Sequence, residues 1–216
     1  MSDSEQNLNL TPELSKARHD RGHWAELTEE FRPRLKRMVD LRMQEQIRGR
    51  LDASDVVQEG FLEAFQRLPE YVEDPNVPFY IWLRSLVYQR LLLAHRQHLD
   101  VKGRDVRRES PLQHGFLNDA TSAVLINALL VNTDSPSAVA VRVEQKQAIE
   151  RALAEMDPID QEVLILRHFE EMTNNEIAAT LNLKPSAATN RYIRALEKLK
   201  GAMTRFSDHS SEFRPS

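Results

Sequence analysis

Apolar residues along the chain recur at three- and four-residue spacing, the rhythm of helices that bury one face. From Trp24, the residues Leu27, Phe31, Leu35, Met38 and Arg42 keep that rhythm, with Pro33 as a kink or a restart. Asp52 offers an N-cap to a second helix in which Val57, Phe61, Ala64, Phe65 and Leu68 form a core stripe, and Asp55, Gln58, Glu59 and Glu63 lie off it. The proline-containing run EYVEDPNVP, residues 70–78, reads as a loop, and Pro78 opens a third helix. Phe79, Leu83, Leu86, Val87 and Leu91 of that helix face the core, and Tyr80, Arg84 and Tyr88 fall elsewhere.

Residues 101–134 break the rhythm with Gly103, Pro111 and Gly115 around an apolar patch, AVLINALLV, at 123–131. This reads as a linker with a sticky segment that packs between domains rather than standing in water. Ser135 with Pro136 starts a helix whose apolar face is Ala148, Ile149, Ala152, Leu153 and Met156, and Asp157 with Pro158 starts another bearing Val163, Leu164, Leu166 and Phe169. Thr173 and Glu176 then form a capping box, and Asn182 is a C-terminal stop. Pro185 opens a last helix with Ala188, Tyr192, Ala195, Leu196 and Leu199 on one face and Ala187, Asn190, Arg191, Arg194 and Lys198 on the other. The expected architecture is all-α: a flexible tail (1–22), a helical domain (23–100), the linker (101–134), a helix-turn-helix domain (135–203) and a second flexible tail (204–216).

Charge changes this picture. Six cations face one anion between Lys184 and Arg205, whereas three cations face eight anions between Gln145 and Leu183. A basic helix on an acidic support, joined to its predecessor by a tight turn, suits a second helix that enters a major groove, although a solvated bundle face carries the same residues. A second basic stretch, Trp82 to Arg108, has seven cations against two anions and interleaves aromatic rings, the pairing that single-stranded nucleic acid uses. Between Asp52 and Asp74 the balance reverses, with seven carboxylates against Arg67 alone. That face is either solvated or a docking surface for a basic partner.

Composition bounds the rest. The 216 residues are 41% hydrophobic and 29% charged, with net charge −4, so nucleic-acid contact must come from local patches. There is no cysteine, which excludes disulfides and thiolate zinc sites. No apolar leader or membrane-length run is present, which points to a cytoplasmic protein. The carboxylates lack the Glu-x-x-His pairs of di-iron bundles, and His95 with His98 lacks a third ligand, so no metal, cofactor or catalytic residue is expected.

DVVQEG at 55–60 resembles the helix by which bacterial RNA polymerase sigma factors grip the polymerase clamp. PFYIWLRSL resembles the start of their promoter-melting helix, and residues 157–200 are similar to their minus-thirty-five-binding domain. With no middle domain between these blocks, the chain resembles the extracytoplasmic-function (ECF) group. The resemblance implies a non-enzymatic promoter-specificity subunit with core RNA polymerase and promoter DNA as partners and an anti-sigma factor as a further one. It assigns Asp55, Gln58 and Glu59 to polymerase. It assigns Tyr71, Asn76, Tyr80, Arg84, Tyr88, Gln89 and Arg96 to minus-ten DNA, with the loop from Tyr71 to Pro78 holding a flipped base. Ser186, Ala187, Thr189, Asn190, Arg191, Arg194 and Lys198 fall to minus-thirty-five DNA. Gln89 and Leu93 depart from the Asn and Asp that many members carry, and Lys184 stands where a Ser commonly caps. A helix-turn-helix regulator that responds to an effector and acts without polymerase is the alternative, and a metal-dependent helical enzyme the third.

Overall fold

The computed structural model describes residues 12–43, 45–99, 149, 151–153 and 155–212, and every regular element among them is helical. In order they are α1 (Arg21–Glu29), α2 (Arg32–Arg42), the single turn α3 (Glu45–Arg48), α4 (Ala53–Glu73), α5 (Phe79–Leu99), α6 (Pro158–His168), α7 (Asn174–Leu181) and α8 (Pro185–Glu212). The apolar patch at 123–131 and the helix start at Ser135 lie outside the described residues.

Local chemistry accounts for most boundaries. Asp20 caps α1 by accepting from the Gly22 and His23 amides. Pro33 sits in the first turn of α2, where its missing N–H costs nothing, so it is a restart rather than a kink. Asp52 caps α4 through the Ser54 amide, and Asp157 caps α6 through the Ile159 amide. The Thr173–Glu176 capping box is complete, and Asn182, at φ 53°, closes α7 in the left-handed conformation that Asn tolerates.

Three expectations need correction. Residues 12–17 are helical rather than a loose tail, and Leu14 and Ala17 are buried in the core. The loop expected from residue 70 starts later, since α4 continues through Pro69 to Glu73 with Leu68 and Tyr71 buried on either side of the proline. At the other end, α8 passes Met203 and runs to Glu212. No proline or glycine stands between Gly201 and Pro215, and extending an existing helix adds one hydrogen bond for each residue fixed.

The N-terminal helices pack around aromatic rings. Phe31 meets Phe79 edge-on at 5.6 Å between centroids, and Tyr71 stacks on Trp82 at 4.4 Å. α4 and α5 lie close together at Gly60, where a Cβ would lie 2.5 Å from Val87 Cγ2 and 2.9 Å from its Cα. Helix α6 is buried on two sides. Val163 and Leu166 join the N-terminal core together with Met172, Ile177, Ala178 and Ala188, while Leu164 and Ile165 join Ile149, Leu153, Ala195 and Leu199 in a second cluster. The C-terminal helices are therefore seated on the N-terminal ones through shared apolar residues.

Gly60→Ala should destabilise the protein by about 1 to 3 kcal/mol, because the backbone of Val87 cannot yield as a flexible side chain would. Gly201→Ala, with nothing within 4 Å of the added carbon, should stabilise by about 0.5 to 1 kcal/mol. Urea unfolding midpoints of the two variants check both signs, and equal midpoints would contradict the close α4–α5 approach.

Candidate nucleic-acid and docking interfaces

The outer face of α4 presents Asp55, Gln58 and Glu59 to solvent, while Val56, Val57, Gly60 and Phe61 point inward. Gln58 accepts a hydrogen bond from Arg32 at 3.2 Å, and the Arg32 guanidinium stands 5.0 Å from the Phe61 ring centroid. Glu63 differs from its acidic neighbours because Arg67 and Arg90 pair with it at 2.8 and 2.6 Å, which makes it a tie between α4 and α5. Sequence reading passed over Leu62. It is 57% exposed on this face, and its apolar side chain off the core stripe was the available signal.

The residues expected at minus-ten DNA divide. Tyr71 lies in the last turn of α4 rather than in a loop, is buried under Trp82 and donates its hydroxyl hydrogen to the Val77 carbonyl at 2.8 Å. Burial pushes its phenol up to about 12. Tyr71 thus props the connection and offers no free ring to a base. Asn76 is exposed and bonds Asp74 at 3.1 Å, Tyr88 and Gln89 are half-buried, and Arg96 is exposed. Tyr80 and Arg84, expected on the surface, are each only 6% exposed.

Helices α6 and α7 and the turn between them cover Tyr80 and Arg84. Arg84 grips Glu170 with two hydrogen bonds, Nε to Oε2 at 2.6 Å and Nη2 to Oε1 at 3.0 Å. Arg42, itself buried, pairs with both Glu162 and Glu170. Arg34 lies 3.9 Å from the Tyr80 ring centroid, pairs with Glu176 at 3.3 Å and donates to the Glu170 carbonyl at 3.4 Å. Further out, Arg37 pairs with Glu171 and donates to the Phe169 carbonyl at 3.4 Å. Glu170 is wholly buried. Its burial acts to raise the carboxyl pKa, but Arg42 and Arg84 outweigh that effect and hold it below the ordinary carboxylate range. Desolvation opposes the charge of Arg42, and Glu162 and Glu170 more than restore it. Burial pushes the Tyr80 phenol up to about 12.

On α8 the expected groove-facing residues are split between solvent and internal partners. Ser186 and Asn190 are exposed, Ala187 is half-buried, and Thr189 donates to the Pro185 carbonyl at 3.0 Å while accepting from Asn174 at 3.1 Å. Arg191 is held by Asp160 at 2.6 Å and Asp157 at 3.4 Å, and Arg194, 60% exposed, reaches Asp160 at 3.6 Å. Lys198 donates to the Glu155 carbonyl. Asp160 at the start of α6 thereby sets the direction of both arginines. Leu196, expected on the buried face, is 36% exposed, and Ile193 beside it is 46% exposed. No cluster of potential metal ligands and no helix long and apolar enough to cross a membrane occurs among the described residues.

Comparison with known proteins agrees with this division. The family model Sigma-70 region 2 matches residues 27–99, and Sigma-70, region 4 matches residues 146–199. The RNA polymerase sigma-H factor of Pseudomonas aeruginosa is 26% identical over 152 residues, which is 70% of this chain and 73% of that protein. The solved structure of CnrH in complex with the cytosolic domain of CnrY has a similar fold, with TM-score 0.51 and 20% identity over 90% of this chain and 97% of that one.

The Glu170 geometry fixes a pH dependence. Its folded pKa is depressed, so its contribution to stability is present above the unfolded value of about 4.3 and is lost as pH falls through the folded value. The wild-type chain should exceed Glu170→Gln in melting temperature at pH 7 and pH 5 by the same margin, and that margin should shrink below about pH 4. Melting curves of both proteins from pH 7 to pH 3 test this, and a margin that grows on acidification would contradict it.

Proposed function

We propose a residue-level account of how this chain, which belongs to the sigma-70 family and has the two-domain build of its ECF group, directs RNA polymerase to promoters. It is a transcription initiation factor and not an enzyme, with core RNA polymerase and promoter DNA as its partners. The family match displaces the reading as a regulator that acts without polymerase. In our reading the region 2 domain spans residues 12–99, the region 4 domain begins in the helix containing Ile149, and the protein works in the cytoplasm beside polymerase.

The observation that carries the account is the segregation of three surfaces by charge and exposure. Asp55, Gln58 and Glu59 form an acidic face with Leu62 as an apolar anchor one turn further along α4, suited to a basic helical surface of core polymerase. Asn76, Tyr88, Gln89 and Arg96 follow the connection and α5 as a path for the melted minus-ten strand. Asn190 stands exposed early in α8, where base edges come closest, and Arg194 stands a turn later, where phosphates run. The family resemblance supplies the direction of each contact, and exposure supports these residues over Tyr71. CnrH, of similar fold, was solved with the cytosolic domain of CnrY, which supports a protein regulator of comparable kind for this chain.

Transcription from a cognate promoter with purified core polymerase tests the function directly, and no promoter-dependent transcript would refute it. Replacing Gln58 with Ala and Glu59 with Lys should abolish binding to core polymerase while changing stability by less than about 0.5 kcal/mol, as surface changes do. Retention on immobilised polymerase together with a melting curve checks both halves. In holoenzyme on wild-type and altered minus-thirty-five duplexes, Asn190→Ala should lose about 1 to 3 kcal/mol on the preferred site only. Arg194→Ala should weaken every sequence alike and lower the salt slope by about one unit. Identical behaviour of the two variants in a salt series would remove the base-versus-phosphate distinction.

A further inference from the structure

The outer side of α2 is hollowed where the chain turns into α3. Pro33, Lys36, Arg37, Asp40 and Leu41 of α2 and Arg48 of α3 line a solvent-open cavity of about 500 Å³, a volume that suits a small organic molecule. Leu35, Met38, Val39 and Arg42 of the same helix are buried on its other side. None of the residues assigned above to polymerase or to DNA lines the cavity. Leu41, itself buried, gives it an apolar floor together with Pro33.

The polar part of the lining is three cations and one carboxylate, and their partners differ. Asp40 is engaged by Lys36 at 3.1 Å, and Arg37 is held by Glu171 and the Phe169 carbonyl. Arg48 donates through Nη2 to the Asp40 carbonyl and through Nε to the Met43 carbonyl at 3.2 Å, and among the described residues no carboxylate pairs with it. Two carbonyls thus fix the direction of this guanidinium without cancelling its charge, and they leave its remaining N–H donors unengaged. A fixed fork of that kind, beside a second arginine and a lysine, matches the oxygens of a phosphate group. A cationic ligand is disfavoured, because the one carboxylate of the lining is already neutralised by Lys36.

We propose that this cavity binds a small organic phosphate: Arg48 and Arg37 take the phosphate oxygens in their forks, Lys36 adds a point charge, and Pro33 and Leu41 receive the apolar part of the ligand. Arg37 then has two anions within reach, the ligand and Glu171, and the two compete for it. The Glu171 side chain is 64% exposed, and an ion pair so open to water is weak enough for a phosphate to displace. The site is complete on the free chain, so it is independent of the sigma-factor reading.

Titration calorimetry of the full chain at low salt, without divalent cations, tests this with ADP and inorganic pyrophosphate as probes. ADP should bind at a single site, and pyrophosphate, which leaves Pro33 and Leu41 uncovered, about threefold more weakly or worse. Arg48→Lys keeps the charge and loses the fork, so a loss of about tenfold in ADP affinity would report geometry rather than net charge. Lys36→Gln alters an exposed side chain that the fold does not need, and it should weaken ADP about threefold even if Arg48→Lys proves unstable in a melting curve. Glu171→Gln should tighten ADP about twofold by leaving Arg37 to the ligand. No heat from ADP at millimolar concentration, or ADP affinity unchanged in Lys36→Gln, overturns the proposal. Pyrophosphate binding as tightly as ADP, or weaker ADP binding in Glu171→Gln, overturns it equally, the first by removing the apolar subsite and the second by removing the competition for Arg37.

Discussion

A carboxylate with no exposure to solvent, Glu170, sits between two buried guanidinium groups, and the arrangement of the two halves of the molecule depends on it. A lone buried charge is costly to desolvate, so Glu170 can be interior only while both Arg42 and Arg84 are present. The converse also holds, since each arginine lies at least nine-tenths out of water and has its anion from across the domain boundary. Removing one member strands the others. The contact between the domains is thus specified by charge geometry as much as by apolar burial.

That constraint explains what sequence could and could not disclose. Helix starts at Asp52, Asp157, Thr173 and Pro185 and the stop at Asn182 were legible because each rests on one residue acting on its neighbours' backbone. The core stripe of α4 was legible because helical spacing alone places it. Burial of Tyr80 and Arg84 was not, because it depends on Glu170, which lies 86 residues beyond Arg84. No local pattern records a partner at that separation. Arg42 was a partial signal, a cation that keeps apolar rhythm, and its meaning needed the opposing carboxylates to be seen. Tyr71 was misread for a smaller reason: Pro75 and Pro78 make the run 70–78 read as a loop, whereas buried side chains on both flanks of Pro69 carry the helix on to Glu73.

Exposure also sorts the candidate site. Asp55, Gln58, Glu59, Asn190 and Arg194 stand where a large partner can reach them without rearrangement. Arg191 is oriented from beneath by Asp157 and Asp160, so the acidic character of the support on which the basic helix rests has a structural use. Glu63 shows the same economy on α4, where one carboxylate of an acidic face ties two helices together and its neighbours stay free.

The two buried sides of α6 have a bearing on how the chain unfolds. Val163 and Leu166 belong to one apolar cluster, and Leu164 and Ile165, their neighbours in sequence, belong to the other. A helix is a single hydrogen-bonded unit and cannot melt on one side while remaining folded on the other. Melting of α6 therefore takes side chains from both clusters at once. A chain with two family domains should then behave as one cooperative unit while α6 is packed into both clusters, its amides around α6 exchanging with the most protected class in both halves.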